Sequence, residues 1–251
     1  MTDPAAFHPV KLTALYRKHL ALGGKFREEG PWRWPEAFTA PEEEVQRVCA
    51  AVGLADLSPL GKLDLKGRDL ELLLHALAGA PPPSVNSIGR VRLREGPECL
   101  CCRLAQDELL LLTAPLDLEA VIGALQPKLG VACAHLTDLT SALAVLDLVG
   151  PKAPDVLSKV MALDLRPAVF PPLILAQGGL ARVHAIVLRL DLGSHLGCRL
   201  LIGREHAEFV WDVLLDAGAE FDIVPFGAAA HALLRAEGGS TPQVSPLTLT
   251  L

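Results

Sequence analysis

Leu60-Gly-Lys-Leu-Asp-Leu-Lys-Gly67 alternates apolar and polar residues between glycines, and a helical run follows from Asp69 to Ala78. Period-two alternation marks a strand with one face on a core, so residues 62–66 are read as a half-buried strand leading into a helix. The same succession returns in Leu143-Ala-Val-Leu-Asp-Leu-Val-Gly-Pro-Lys-Ala153, a strand closed by a Gly-Pro turn and continued as a helix to Met161. Working outward, each strand–turn–helix unit is followed by a proline-rich extended piece: Pro81-Pro82-Pro83 in the first pass, Ala168-Val-Phe-Pro-Pro172 in the second. Short strands come next. In the first pass they are expected at 91–94, 99–104 and 108–113, and in the second at 174–180, 185–190 and 199–202. Helices at 116–125 and 205–217 close the two passes. A repeated order of short strands and helices, without the regular alternation of a doubly wound sheet, predicts an α+β duplication with mainly antiparallel sheets.

Ahead of these units, Leu12, Leu15, Tyr16, His19, Leu20 and Leu22 follow helical spacing, and Gly23-Gly24 supplies a stop, so a first helix is expected over 12–26. The stretch 27–41 carries Trp32, Trp34 and three prolines and is read as an irregular loop. A second helix begins at Glu42, with acids in its first turn, and ends near Gly53.

Composition narrows the function. The 251 residues are 51% hydrophobic and 21% charged, with a mean hydropathy of +0.35, which suits a chain with a large core. Apolar runs are broken before reaching the length of a membrane span, and the first ten residues lack the basic start and apolar stretch of a secretory leader. A cytoplasmic protein without a membrane segment is expected. A net charge of −6 with no basic stripe argues against nucleic acid as a partner.

The six cysteines, at 49, 99, 101, 102, 133 and 198, form no disulfide framework, and reduced thiols are expected. On a strand, Cys99 and Cys101 would face one side and Cys102 the other, so the three would pack in cores and not converge on an ion. The eight histidines show no metal-binding spacing, and no metal site is expected. P-loop, dinucleotide and Gly-x-Ser-x-Gly motifs are absent.

Particular phrases resemble the folate-binding part of the glycine-cleavage T-protein. Leu12 to Phe26 is similar to that family's opening helix, and Trp32 to Pro35 to its Gly-Trp and Pro segment. Glu44 to Gly61 resembles its helix and Asp-x-Ser-x-x-Gly turn, Leu148 to Ala153 its Gln-Gly-Pro-Lys-Ala turn, and Pro225 to Glu237 its closing helix. Residues 162–172, 180–189 and 211–217 are similar to the gamma subunit of heterotetrameric sarcosine oxidase, a member of the same superfamily that acts inside a larger flavoenzyme complex. The resemblance implies two interleaved ferredoxin-like or T-protein-type units, 1–58 with 138–241 around an inserted 59–137, followed by a tail at 242–251. It further implies that the family's C-terminal barrel, which would begin after about Pro242, is absent, leaving one wall of the folate channel to a partner chain.

The same resemblance supplies the candidate site residues. Glu98 falls near the second residue of the family's Asp-Asp pair, which positions folate and the aminomethyl group; the alternative is a solvated turn carboxylate. The family's pterin-binding Tyr and Glu are matched by Leu192 and Arg199 in Arg189-Leu-Asp-Leu-Gly-Ser-His-Leu-Gly-Cys-Arg199. A pterin amidine presents paired donors and needs an acceptor, whereas Arg199 offers only donors. Arg199 would then meet a carboxylate of a ligand or partner, or form a surface ion pair. Arg235 and Glu237 keep the pattern of the closing helix, where His231 and Ala232 replace the family's Arg-Asp, and Arg235 is the candidate for the folate tail. Its alternative is a helix-surface cation paired with Glu237 or a loop. Trp34 is carried over as a further cofactor contact.

Tetrahydrofolate is therefore the expected cofactor, and oxidase or lipoyl-carrier subunits are the expected partners. The Lys-Gly-Cys-Tyr-type motif of the family branch serving iron–sulfur assembly does not occur. Three functions remain: an accessory subunit of an amine-oxidising or aminomethyl-transferring complex, a complete aminomethyltransferase using Glu98, and a non-catalytic interaction module.

Overall fold

The computed structural model of the chain describes residues 10–94 and 96–237, so the ends of the outer unit and the tail expected at 242–251 lie outside the described residues. In chain order the elements begin with β1 (Lys11–Leu12), α1 (Tyr16–Ala21), β2 (Lys25–Glu29), β3 (Trp32–Ala37), α2 (Pro41–Ala50), β4 (Gly53–Asp56) and β5 (Gly61–Gly67). They continue with α3 (Leu70–Ala78), β6 (Ile88–Arg92), β7 (Glu98–Ala105), β8 (Glu108–Thr113), α4 (Leu118–Leu129) and β9 (Ala134–Asp138). The last group is β10 (Leu143–Val149), α5 (Ala153–Val160), β11 (Leu175–Leu180), β12 (Val183–Arg189), β13 (Gly197–Gly203), α6 (Ala207–Gly218), β14 (Val224–Pro225) and α7 (Ala228–Ala236).

These strands make a six-stranded sheet in the order β11-β12-β13-β10-β4-β14, a five-stranded sheet in the order β6-β7-β8-β5-β9 and a small sheet β1-β3-β2. All pairings are antiparallel except the two-residue contacts of β1 with β3 and β14 with β4. The expected mixed α and β architecture with mainly antiparallel sheets is present.

The two large sheets each pack on both faces. Leu146, Leu148, Val187, Leu200 and Ile202 of the six-stranded sheet pack against Val156 and Leu157 of α5 and Val210, Trp211 and Leu214 of α6. Leu63, Leu65, Cys99, Cys101, Leu109 and Leu111 of the five-stranded sheet pack against α3 and α4. The opposite faces meet each other through Leu100, Cys102, Leu110 and Leu112 on one side and Val145, Leu188 and Leu201 on the other. The chain is therefore four layers deep: helices, sheet, sheet, helices.

This stacking corrects the expectation that residues 62–66 form a half-buried strand, because Lys62 and Asp64 on its polar face are also buried. It also accounts for the continuous apolar run Leu109 to Leu112, since a strand buried on both faces has no reason to alternate. The cysteines behave as the alternation requires: Cys99 and Cys101 join the core under α3 and α4, Cys102 the layer between the sheets. All six are unpaired.

The start of the chain departs from expectation. The first helix covers Tyr16–Ala21 alone, because Lys11 and Leu12 pair in parallel with Trp32 and Arg33, and Lys25 and Phe26 pair with β3. The glycine stop acts as read, with Gly23 in the left-handed region at φ 78° and Gly24 against the His19 carbonyl. The segment 27–41, read as a loop, is largely a hairpin whose inner residues Trp32, Trp34 and Ala37 are buried.

Gly150 shows why the Gly-Pro turn after β10 needs glycine. Its φ is 125°, and a Cβ there would lie 2.6 Å from the carbonyl oxygens of both Val48 and Ala51 at the end of α2. At the far edges, an antiparallel bridge between Ser87 and Ile174 joins the two large sheets, with Ile88 N–H donating to Leu173 O at 2.8 Å and Leu175 N–H to Asn86 O at 3.0 Å. Among the described residues no helix is long and apolar enough to cross a membrane.

Candidate functional site

Two neighbouring strands and one helix build a buried ionic cluster. Asp147 on β10 and Arg199 on β13 are partners in the antiparallel register. Arg199 donates from Nε and Nη2 to the two carboxylate oxygens of Asp147 at 2.7 and 2.8 Å, a two-pronged pair. His231, on α7, places Nε2 3.2 Å from Asp147 Oδ2 and stacks on Phe226.

All three groups are buried. Burial pushes the Asp147 carboxyl up, but the charge and hydrogen bonds of Arg199, aided by His231, outweigh it and hold the group down at about 2. Burial lowers the His231 imidazole from its usual range despite the adjacent carboxylate.

A second buried chain ties α1 to both sheets. His19 Nε2 lies 3.0 Å from Asp56 Oδ2, and Asp56 Oδ1 accepts the Ser58 N–H at 3.0 Å. Lys62, fully buried on β5, donates Nζ to the Ser58 carbonyl at 2.6 Å. Burial drives the Lys62 amine down to about 7, against the pull of Asp56 and Asp138. Burial also raises Asp56, but its bonds to His19 and Ser58 bring it below the usual carboxylate value.

The residues singled out from the sequence fall in separate places. Glu98 opens β7, opposite Arg92 of β6, with Arg92 Nη2 3.4 Å from Glu98 Oε2. Trp34 is buried in the layer between the sheets, with the Arg27 guanidinium 5.3 Å above its ring, and its indole N–H has no acceptor among the described residues. Arg199 is held by Asp147 and not by a surface partner. Leu192 packs with Val45, Phe226 and Leu234 beside α2 and α7.

Arg235 lies one helical turn beyond His231, half-buried, and burial lowers its guanidinium from the usual value. Glu237 turns elsewhere, to His195 at 3.1 Å, and His195 Nε2 is in turn 3.6 Å from Cys49 Sγ. Glu237, one of the partners considered for Arg235, thus pairs with His195. Arg199, His231 and Arg235 form one neighbourhood, Cys49, His195 and Glu237 another.

Sequence reasoning did not find Asp147, Lys62 or the Cys49–His195 contact. Asp147 is 52 residues from Arg199 and 84 from His231, and Cys49 is 146 from His195. No local spacing encodes such contacts. The one available signal was an Asp inside the apolar strand Leu143–Val149, since a charge there needs a buried partner.

With this geometry in place, the chain can be set beside known proteins. It belongs to the GCVT N-terminal domain family, which it matches over residues 15–241. It is 30% identical to the sarcosine oxidase subunit alpha of Corynebacterium sp. (strain U-96), over 92% of this chain and 26% of that one. It is 27% identical to the aminomethyltransferase of Moorella thermoacetica, over 95% of this chain and 68% of that one. The chain thus spans about a quarter of the oxidase subunit and about two thirds of the aminomethyltransferase.

Among solved structures, the glycine cleavage system aminomethyltransferase T from Bartonella henselae superposes with a TM-score of 0.77 at 22% identity, over 92% of this chain and 63% of that one. A chain of heterotetrameric sarcosine oxidase from Corynebacterium sp. U-96 gives a TM-score of 0.63 at 24% identity, over 84% of this chain and 95% of that one. Both likenesses place the chain in the T-protein fold.

Proposed function

We propose that the chain is a T-protein-like, tetrahydrofolate-linked accessory subunit of a cytoplasmic amine-oxidising or aminomethyl-transferring complex. Its partner in such a complex is a flavin oxidase or lipoyl-carrier subunit. The division 1–58 with 138–241 around 59–137 is part of this reading.

The observation that carries it is the clamp of Arg199 on Asp147. At the position matched to the family's pterin-binding Glu, this chain has a cation whose charge is met from within, so a carboxylate for a pterin amidine is missing there. The residues do not fit family-type pterin recognition, and no chemical step is assigned to them. Arg235 and the unaccepted indole N–H of Trp34 support a weaker contact with folate, the first by charge toward a glutamate tail, the second as a buried donor.

Losing one charge-assisted bond costs about 1.5–3 kcal/mol, so two such losses weaken binding by roughly two to four orders of magnitude. Calorimetric titration of tetrahydrofolate into the chain alone is expected to give little or no heat, and titration into its complex a measurable affinity. A complete aminomethyltransferase using Glu98 replaces this reading if the chain alone turns over at about 1 per second or faster and Glu98→Ala abolishes it. Absence of folate binding in the complex as well would favour an interaction module, a reading supported by the burial of Leu192.

A further inference from the structure

Cys49 near the end of α2, His195 in the turn between β12 and β13, and Glu237 just beyond α7 converge at one point. One ligand atom from each lies within 4.8 Å of the others. His195 Nε2 faces both remaining groups, the thiol at 3.6 Å and the carboxylate at 3.1 Å.

A single ring nitrogen of a neutral imidazole cannot serve both. Protonated, it donates to the carboxylate and leaves the thiol unpaired; unprotonated, it accepts from the thiol and sets its lone pair against an anionic oxygen. A cation seated among the three removes the conflict.

Around a tetrahedral zinc ion, bonds of about 2.3 Å to sulfur and about 2.0–2.1 Å to nitrogen and oxygen give ligand-to-ligand edges of about 3.3–3.6 Å. The sulfur–nitrogen edge already has this length, and the nitrogen–oxygen edge is within a few tenths of an ångström of it. A mixed S, N, O set suits zinc and similar borderline ions better than magnesium or calcium, which take oxygen ligands. One thiolate and one carboxylate balance a divalent charge.

We infer that Cys49, His195 and Glu237 form a binding site for a zinc-class divalent ion, with the fourth position open to water. The turn that carries His195 is preformed. Leu192 and His195 exchange backbone hydrogen bonds at 2.9 and 3.0 Å across Gly193, whose φ is 61°. Access is available, since the side chains of His195 and Glu237 are 19% and 49% exposed. The ion displaces the thiol proton into solvent and ties α2, the β12–β13 turn and the end of α7 into one unit.

The test uses the full 251-residue chain, stripped with a chelator and titrated with Co²⁺ and then Zn²⁺. One equivalent of Co²⁺ is expected, with a thiolate-to-cobalt charge-transfer band that Zn²⁺ abolishes. Cys49→Ser is expected to remove the band, and His195→Ala to weaken binding at least tenfold. Cys133→Ser, which changes the exposed thiol elsewhere, is expected to leave both unchanged. Where Cys49→Ser fails to fold, Glu237→Gln at the exposed position decides: the band is retained and affinity falls about tenfold or more. No band in the unmodified chain, a band that survives Cys49→Ser, or a Glu237→Gln affinity equal to that of the parent overturns the assignment.

Discussion

Arg199 and Asp147 face each other across the central strands of the six-stranded sheet, joined by two charge-assisted hydrogen bonds at 2.7 and 2.8 Å. Removing Arg199 leaves the buried Asp147 carboxylate with His231 but no cation, and removing Asp147 leaves a buried guanidinium without its anion, whereas removing both leaves neither charge. Arg199→Met is expected to lower stability by about 3–5 kcal/mol, and the pair Arg199→Met with Asp147→Leu to lie close to the parent. Urea unfolding of the parent, both single variants and the double variant measures the cycle. A double variant as unstable as the worse single variant would contradict the assignment.

Asp147 makes the protein acid-sensitive in a definite window. Its folded pKa, about 2, is below the ordinary 3.8, so its contribution is fully present above about pH 4 and is lost as pH falls toward 2. The difference amounts to about 2 kcal/mol. His231 acts higher: its lowered pKa means that the unfolded chain takes up a proton first, so stability begins to fall below about pH 6.5. Unfolding curves from pH 7 to pH 2 should show both declines, and His231→Phe should flatten the upper one.

Lys62 has the same sign in a higher window. An amine lowered from 10.5 to about 7 withholds a proton that the unfolded chain binds, so stability rises with pH between those values. Lys62→Met is expected to stabilise the protein by roughly 3–5 kcal/mol at pH 7. The gain should shrink toward pH 10.5 as the unfolded lysine also loses its proton. A gain independent of pH would show that the amine is not held neutral by burial.

Restoring the family's carboxylate is not expected to restore pterin binding. Arg199→Glu puts a second anion beside Asp147 in a buried layer, and one of the two must take up a proton. Titration with tetrahydrofolate should show no gain in affinity, and thermal melts a loss of several kcal/mol. Tighter folate binding by Arg199→Glu would mean that Asp147 relaxes away from the site.

Legibility in the sequence followed the burial of each element. Glu108–Thr113 and Leu143–Val149 coincide with their expected limits because turn residues bracket compact apolar runs. The strand Gly53–Asp56 was missed: four residues buried on both sides show no alternation, and they follow helix α2 after only two residues. Ala134–Asp138, at the edge of its sheet, carries polar residues on both faces and gave no strand pattern. Candidate residues came from motif positions, which locate a side chain along the chain but do not reveal its neighbour. Arg199 was placed correctly on its strand, yet its role is set by Asp147, and Glu237 is set by His195.

The bridge between Ser87 and Ile174 has a bearing on which sheet edges stay open. It ties together the starts of β6 and β11, the outermost strands at one side of the two large sheets, so the first residue of each edge bonds to the other unit's lead-in segment. An incoming strand cannot add at the start of either edge without first breaking that seam. The seam also couples the two sheets mechanically. Amide exchange at Ile88 and Leu175 should accelerate together when either sheet is destabilised, reporting one opening event and not two.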